Sequence, residues 1–308
     1  MEYIIIFILI LIIVYCVYTL LSLDYFNNAN KIPDKILIKQ APPDPYILPK
    51  VIYGFWDNLD ENIIIQSHIR SWKRHLSSEW KIVILNKDTV HDYVDKSFIN
   101  KYGSGELDAT RFSDFLRIDL LTKKGGCWMD ASIFITDGGF LDDMYDEMIK
   151  YKYDACFYEY KEMTMKASQP HIDNWFMMAP KGSKILTDLY YEFNRAYEMD
   201  FLKYKRDVLM NTNIIFTKTI GYGDNTYLLQ HAIFHYLLRN GNPYNIELKN
   251  ATESFFKMHS IYNWDQNEII DFIINNTNWK NLYAMKLTKG NRTAIKDQKA
   301  YVRKIDSL

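Results

Sequence analysis

Three cysteines stand in 308 residues, and one of them, Cys16, sits inside a long apolar run. That is too few for a disulfide framework, and no CxxC or His/Cys spacing offers a structural zinc site. Cys127 and Cys156 are therefore expected as buried thiols. Charge of one sign is also missing: 37 Lys and Arg face 38 Asp and Glu, a net of -1, which leaves no basic footprint for a nucleic-acid partner. No internal repeat, nucleophile elbow or paired-carboxylate hydrolase signature is present. Gly221 and Gly223 in GYGDN lack the strand-turn-helix setting of a dinucleotide fingerprint. His68, His75 and His259 have no metal-ligand spacing. The sequons at Asn250, Asn275 and Asn291 arise easily by chance in so Asn-rich a chain and fix no compartment.

What is present begins with Ile4 to Leu23, an uncharged run that would be about 30 Å long as a helix and so matches a bilayer core. No Lys or Arg precedes it and no small-x-small site follows, which favours a membrane anchor (residues 1–23) over a cleaved leader. Lys31, Lys35 and Lys39 follow the span and point by the charge rule to a cytosol-facing body. Residues 24–48, with Pro33, Pro42, Pro43 and Pro45, read as an extended stem. Residues 49–308 read as one α/β domain with a mainly parallel central sheet.

The periodicity supports that division. KVIYGFW is a short apolar strand ending in Trp56, followed by a helix from about Ile63 to Leu76, the strand EWKIVILN and a helix through Val90, Tyr93 and Val94. Strand, helix, strand implies parallel pairing with a right-handed crossover, and ligands in such sheets bind beyond the carboxyl ends of the strands. Trp56 and Asn86 are thereby expected near a ligand. Further elements are a helix over Thr110–Lys124, a strand WMDASIFIT, a helical patch over 141–149, strands YDACFYEY and NWFMMAP, and helices over 184–197 and 226–239. The C-terminal tail is weakly patterned.

The chemistry concentrates in TRFSDFLRIDLLTKKGGCWMDASIFIT, residues 110–136. At about 100° per residue, Asp114 and Arg117 lie about 60° apart on one face of a helix, away from the stripe of Phe112, Leu116 and Leu120. Gly125-Gly126 then turns the chain into a strand where Asp130 is surrounded by apolar residues, and a carboxylate so placed needs a cation or several hydrogen bonds. The pair alone is equally consistent with a surface i,i+3 ion pair. Trp175, opening an apolar strand, is weighed as core rather than site. Tyr227 and His231 share a helix face at i,i+4, and a site role for them competes with a satisfied core histidine.

PKVIYGFW, SDFLRIDLLTKKGGCWMDAS, NWFMMAP and KLTK together resemble nucleotide-sugar-dependent glycosyltransferases with a DxD-type motif, in particular the capsular-polysaccharide-synthesis and initiating-mannosyltransferase-like group. The SDxxR-to-GGxWxD block is the specific part, and the likeness covers most of residues 49 to 290. It implies a single GT-A-like Rossmann-type domain that moves a sugar from a UDP- or GDP-sugar to a glycan or glycoconjugate hydroxyl, with retention and a divalent cation, Mn²⁺ or Mg²⁺. Carried over residue by residue, Trp56 borders the base, Asp114 holds ribose or sugar hydroxyls, Arg117 reaches the sugar or diphosphate, Asn174 touches the donor, and Lys286 approaches the diphosphate. Asp130 matches the first acid of the motif. Ser132 stands where the second acid belongs, so the implied metal set is Asp130 and Ser132, with Asp137 as a candidate substitute. That departure leaves open a membrane-tethered binding protein without catalysis. By the resemblance, a eukaryotic member would face the Golgi or ER lumen, against the charge rule.

Overall fold

The structure is a computed structural model that describes residues 39–164, 167–212, 225–239 and 242–308. The apolar run 4–23, most of the stem and GYGD of the GYGDN loop lie outside the described residues, among which no helix is long and apolar enough to cross a membrane. The compact body begins at Lys39, earlier than the boundary expected at residue 49. The reason is packing: Leu48 is buried, the Tyr46 hydroxyl donates to the Met148 and Tyr153 carbonyls, and the Ile47 carbonyl accepts from Lys181 N at 2.8 Å. The end of the proline-rich stretch is thus part of the domain surface.

In chain order the described elements that build the body are β1 (Val51–Phe55), α1 (Ile63–His75), β2 (Lys81–Leu85), α2 (Lys96–Tyr102), α3 (Ala109–Lys124), β3 (Gly126–Met129), β4 (Ile133–Ile135), α4 (Gly139–Tyr151), β5 (Ala155–Glu159), β6 (Ile172–Ala179), α5 (Lys184–Met199), α6 (Leu229–Leu238), β7 (Ile246–Asn250), α7 (Lys257–Ile261), α8 (Gln266–Asn275), β8 (Ala284–Lys286), α9 (Lys289–Ala294) and α10 (Gln298–Asp306). Six strands form one sheet in the order β2-β1-β3-β6-β5-β7. Pairs β1/β2, β1/β3 and β5/β7 are parallel, while β6 runs antiparallel to β3 and β5. The sheet is therefore α/β with mainly parallel pairing.

Both faces are covered, which explains the nearly continuous apolar strands. On β3, Trp128 enters the core shared with α3, α5 and α6, and its neighbours Cys127 and Met129 enter the core shared with α1 and α4. Cys127 and Cys156 are buried free thiols. A third apolar cluster gathers the C-terminal helices α8 and α10 with Phe134 of β4. The weakly patterned tail thus has its own core, assembled from short segments whose apolar residues meet only in three dimensions.

Two expectations change. The stretch WMDASIFIT is not one strand: β3 ends at Met129 and β4 begins at Ile133, leaving the sheet to pair antiparallel with β8, Ile133 opposite Lys286. Asp130 consequently lies in the break, at the carboxyl end of β3, and not inside a strand. The helix expected through Val90 to Val94 is a single 3-10 turn, Val90–Asp92. Asn86, which precedes it, uses its side-chain oxygen to accept from the backbone of Asp88 and Thr89, so it closes a turn.

The turn from α3 into β3 depends on its glycines. Gly125 has φ 72° and Gly126 φ 114°. A Cβ at Gly125 would stand 2.6 Å from the Lys181 nitrogen, and one at Gly126 2.7 Å from the Val51 oxygen. Neither backbone can retreat, because each belongs to the adjoining chain segment.

Candidate active site

Asp108 caps α3 by accepting from Arg111 N, and the helix carries Arg111, Asp114 and Arg117 towards the carboxyl ends of β1 and β3. Asp114 and Arg117 are almost fully buried, at 3% and 4% exposure, so theirs is not a surface ion pair. Asp114 Oδ2 is 3.0 Å from Arg111 Nη1, and Asp114 Oδ1 is 3.4 Å from Arg117 Nη2. Burial nonetheless pushes the Asp114 carboxyl up to about 6, against the pull of the two guanidiniums. The same carboxylate accepts from Asn174 Nδ2 at 3.2 Å, and Gln230 binds both Asn174 Nδ2 (2.8 Å) and the Asp114 carbonyl (2.8 Å). Nothing in the sequence pattern singled out Gln230 or Arg111. The i,i+3 spacing of Arg111 to Asp114 and the i,i+1 spacing of Gln230 to His231 were the available signals.

Arg117 is fixed on every side. It donates to the Ser113 carbonyl and hydroxyl and to the Asn174 carbonyl, and its guanidinium carbon sits 5.0 Å from the Trp128 ring centroid. From that position Nη1 lies 3.5 Å from Asp130 Oδ1. Asp130 also accepts from the Trp128 indole N–H at 3.0 Å, and its backbone N–H donates to the Trp175 carbonyl at 2.9 Å.

Lys286 arrives from the tail. The β4/β8 pairing sets it opposite Ile133, and its Nζ lies 3.1 Å from Asp130 Oδ2 and 2.7 Å from Ser132 Oγ. Burial alone would raise the Asp130 carboxyl. The charges of Lys286 and Arg117 and the Trp128 hydrogen bond outweigh it, holding the group below the usual carboxylate range. Trp56 closes the cluster at the end of β1, with Arg292 stacked over its ring at 5.2 Å. Burial lowers the Arg292 guanidinium, while the charge of Asp130 raises it in part.

The expected residues Trp56, Asp114, Arg117, Asp130, Ser132, Asn174 and Lys286 are thus gathered at one end of the sheet. Others are placed elsewhere or employed differently. Trp175 is buried against Tyr158 and Phe255. Tyr227 is exposed in the turn that precedes α6, so it does not share a helix face with His231. Asp137 accepts from Gly139 N at 2.9 Å and shapes the turn into α4. His68 bonds the Tyr301 hydroxyl and His259 bonds Asn291. Asn291 is fully buried and closes the cap of α9, which removes it as a glycan acceptor.

Asp130 and Ser132 do not fit a divalent cation as they are arranged. Ser132 is buried, and its oxygen and Asp130 Oδ2 both already face the Lys286 ammonium. A dication placed between them would stand against that ammonium and beside Arg117, with only one carboxylate to offset the repulsion.

A family model described as capsular polysaccharide synthesis protein matches residues 27–276. The chain is similar to the O-glycosyltransferase braB of Annulohypoxylon truncatum, 30% identical over 103 residues, which are 30% of this chain and 24% of that protein. It is also similar to the O-glycosyltransferase PaGT of Phomopsis amygdali, 25% identical over 149 residues, 44% of this chain and 36% of that protein. The matches thus span about a quarter to a third of those relatives' lengths. Among solved structures it is similar to the glycosyltransferase GlyE of Streptococcus pneumoniae TIGR4, with a TM-score of 0.42 and 11% identity over 79% of this chain and 55% of that one. A galactosyltransferase, LgtC, in complex with donor and acceptor sugar analogs gives a TM-score of 0.41 and 7% identity over 84% and 96%. With the family model matched over most of its length, the chain belongs to the capsular polysaccharide synthesis protein family.

Proposed function

We propose that the chain is a glycosyltransferase that takes a sugar from a UDP- or GDP-sugar and attaches it, with retained configuration, to a glycan or glycoconjugate hydroxyl. The observation that carries this reading is the meeting of Lys286 and Arg117 at the Asp130 carboxylate, beyond the carboxyl ends of parallel strands and near the half-buried pair Trp56 and Arg292. Such a cluster suits a diphosphate. In the reaction the bond between the anomeric carbon and the diphosphate oxygen breaks, and the electron pair leaves with the diphosphate. The acceptor oxygen bonds the same face of the anomeric carbon, and its proton passes to the departing phosphate oxygen. No general base is required in that sequence.

Each side chain then has a task. Trp56 borders the base. Asp114 and Asn174, held together by Gln230, accept and donate to donor hydroxyls. Lys286, Arg117 and Arg292 meet the charge that grows on the leaving diphosphate. Asp130 keeps Lys286 and Arg117 aligned before the donor enters. These cations meet that charge without an ion at Asp130 and Ser132, whose oxygens already face Lys286.

We further propose that Ile4–Leu23 anchors the enzyme in a membrane, which extraction by detergent but not by alkaline carbonate would support. For the reaction, the full chain in detergent is offered UDP- and GDP-sugars with mixed glycan acceptors. Donor-dependent thermal stabilisation with turnover, abolished by Asp130→Ala in a protein that still melts cooperatively, supports the proposal. Because Ser132 contributes no charge, stabilisation without any turnover would instead favour a sugar-nucleotide-binding protein.

A further inference from the structure

Next to the donor pocket lies a cluster that the proposed reaction does not use. His171, just ahead of β6, Asp173 on β6 and His231 on α6 each place one ligand-type atom within 4.8 Å of the others. All three are buried. Asp173 Oδ1 stands 3.9 Å from His171 Nε2 and 3.7 Å from His231 Nε2, which is too far for hydrogen bonds. The two imidazoles stack with centroids 4.9 Å apart. Asp173 Oδ2 and the Nδ1 atoms of both histidines have no hydrogen-bond partner, and the other groups acting on the carboxylate are the Trp175 indole, Lys286 and Asp130.

Three desolvated polar side chains aimed at one another without hydrogen bonds are costly. Burial presses both histidines down to about 3 and the Asp173 carboxyl up to about 6. Carboxylate and neutral imidazole are the forms in which such side chains ligate metals. Two nitrogens and one carboxylate oxygen suit first-row ions such as Zn²⁺ or Mn²⁺, whereas Mg²⁺ and Ca²⁺ favour oxygen alone. With bonds of about 2.0–2.2 Å, tetrahedral ligand atoms stand about 3.4 Å apart, so small rotations of the three side chains would close the set.

We propose that His171, Asp173 and His231 form a binding site for a first-row divalent metal ion, Zn²⁺ being the best match, with a fourth position left for water or a substrate oxygen. The ion braces the donor pocket, because Asp173 and His231 are the chain neighbours of Asn174 and Gln230, which together hold Asp114. The site is separate from Asp130 and Ser132, and it stands whether or not sugar transfer takes place, since bound metal is read directly.

The test uses the full chain in detergent, stripped with chelator, incubated with Zn²⁺ and passed through a desalting column before elemental analysis. Near-stoichiometric zinc in wild type and in Asp130→Asn is expected, with at least a tenfold loss of affinity in Asp173→Asn and in His231→Gln, since mutating even the groups that orient a metal's ligands costs about tenfold or more. Zn²⁺ should raise the melting temperature of wild type and not of those variants. Where a variant misfolds, Co²⁺ loaded into wild type gives an independent reading, as nitrogen and oxygen ligation in four-coordinate geometry colours the protein. Wild type that retains neither Zn²⁺ nor Mn²⁺, zinc uptake unchanged in both ligand variants, or cobalt with the spectrum of the hydrated ion would each overturn the site.

Discussion

Lys286 Nζ lies 3.1 Å from Asp130 Oδ2 and also bonds Ser132 Oγ, so a residue of the C-terminal tail fills the space between these two side chains. The β4/β8 pairing holds it there, assisted by the Leu287 N–H, which donates to the Ser132 carbonyl at 3.0 Å. Replacing it with alanine should lower kcat by about 100-fold, the order seen when a preorganised transition-state donor is removed. Lys286→Arg should recover part of that loss. Initial rates of donor consumption decide it, and an alanine variant with unchanged kcat would remove Lys286 from the reaction.

Asp130 is the reciprocal case. Asp130→Ala leaves Arg117 and Lys286 facing each other with no anion between them, and removing one member of such a set typically costs about 3–5 kcal/mol where it is buried. Asp130 is a quarter exposed at its side chain, so the stability cost should fall below that range while transfer is lost. A melting curve and a rate measured on the same preparation separate the two effects.

Asp114 should set an acidic limb. Its carboxyl, raised to about 6 chiefly by burial, is ionised above that value and protonated below it. If the anion holds donor hydroxyls, kcat/KM falls as pH drops through about 6, and Asp114→Asn is low and flat over the same range. For stability the sign is opposite: an acid whose folded value exceeds its unfolded one stabilises the fold at low pH, and that contribution disappears as pH rises through about 6. A wild-type profile without an inflection between pH 5 and pH 7, a range set by the raised carboxyl, would count against Asp114 as a donor contact.

His68 predicts the acid stability of the body. It is fully buried against Tyr301, and burial lowers it to about 3. A base lowered on folding contributes stability that is complete above its unfolded value of about 6.5 and is lost as pH falls towards about 3. At pH near 4 the loss is on the order of 1–3 kcal/mol from this residue. Chemical denaturation of wild type and His68→Gln at pH 7 and pH 4 should show a smaller decline in the variant.

Gly125→Ala and Gly126→Ala should each destabilise by about 2 kcal/mol or more, because both positions combine positive φ with a backbone atom closer than a Cβ tolerates. For a domain of this size that is a drop of about 4–8 °C in melting temperature. Since the turn aims β3, the activity of whatever folds should fall as well.

The local rules in the chain were enough to read the frame. Short apolar runs, amphipathic helix periods and the Gly125-Gly126 turn set strands and helices, because strands buried on both faces must be nearly continuously apolar and helices buried on one face must be periodic. They also marked Asp114, Arg117 and Asp130, since a charged residue among apolar ones needs a partner. Periodicity could not tell that WMDASIFIT breaks at Asp130, since an apolar run reads as a strand whether it stays in one sheet or moves to another.

Tertiary structure decided who the partners are. Lys286 and Ser132 meet through a pairing of two three-residue strands, too short to declare themselves. Gln230 reaches Asp114 from another helix, and His171 and Asp173 at the start of β6 meet His231 of α6, 58 residues on from Asp173 in sequence. Side chains within one helix or turn are neighbours by covalent geometry, and the sequence determines them alone. Those brought together by the closing of a core are neighbours only because the apolar surfaces around them exclude water in one common arrangement.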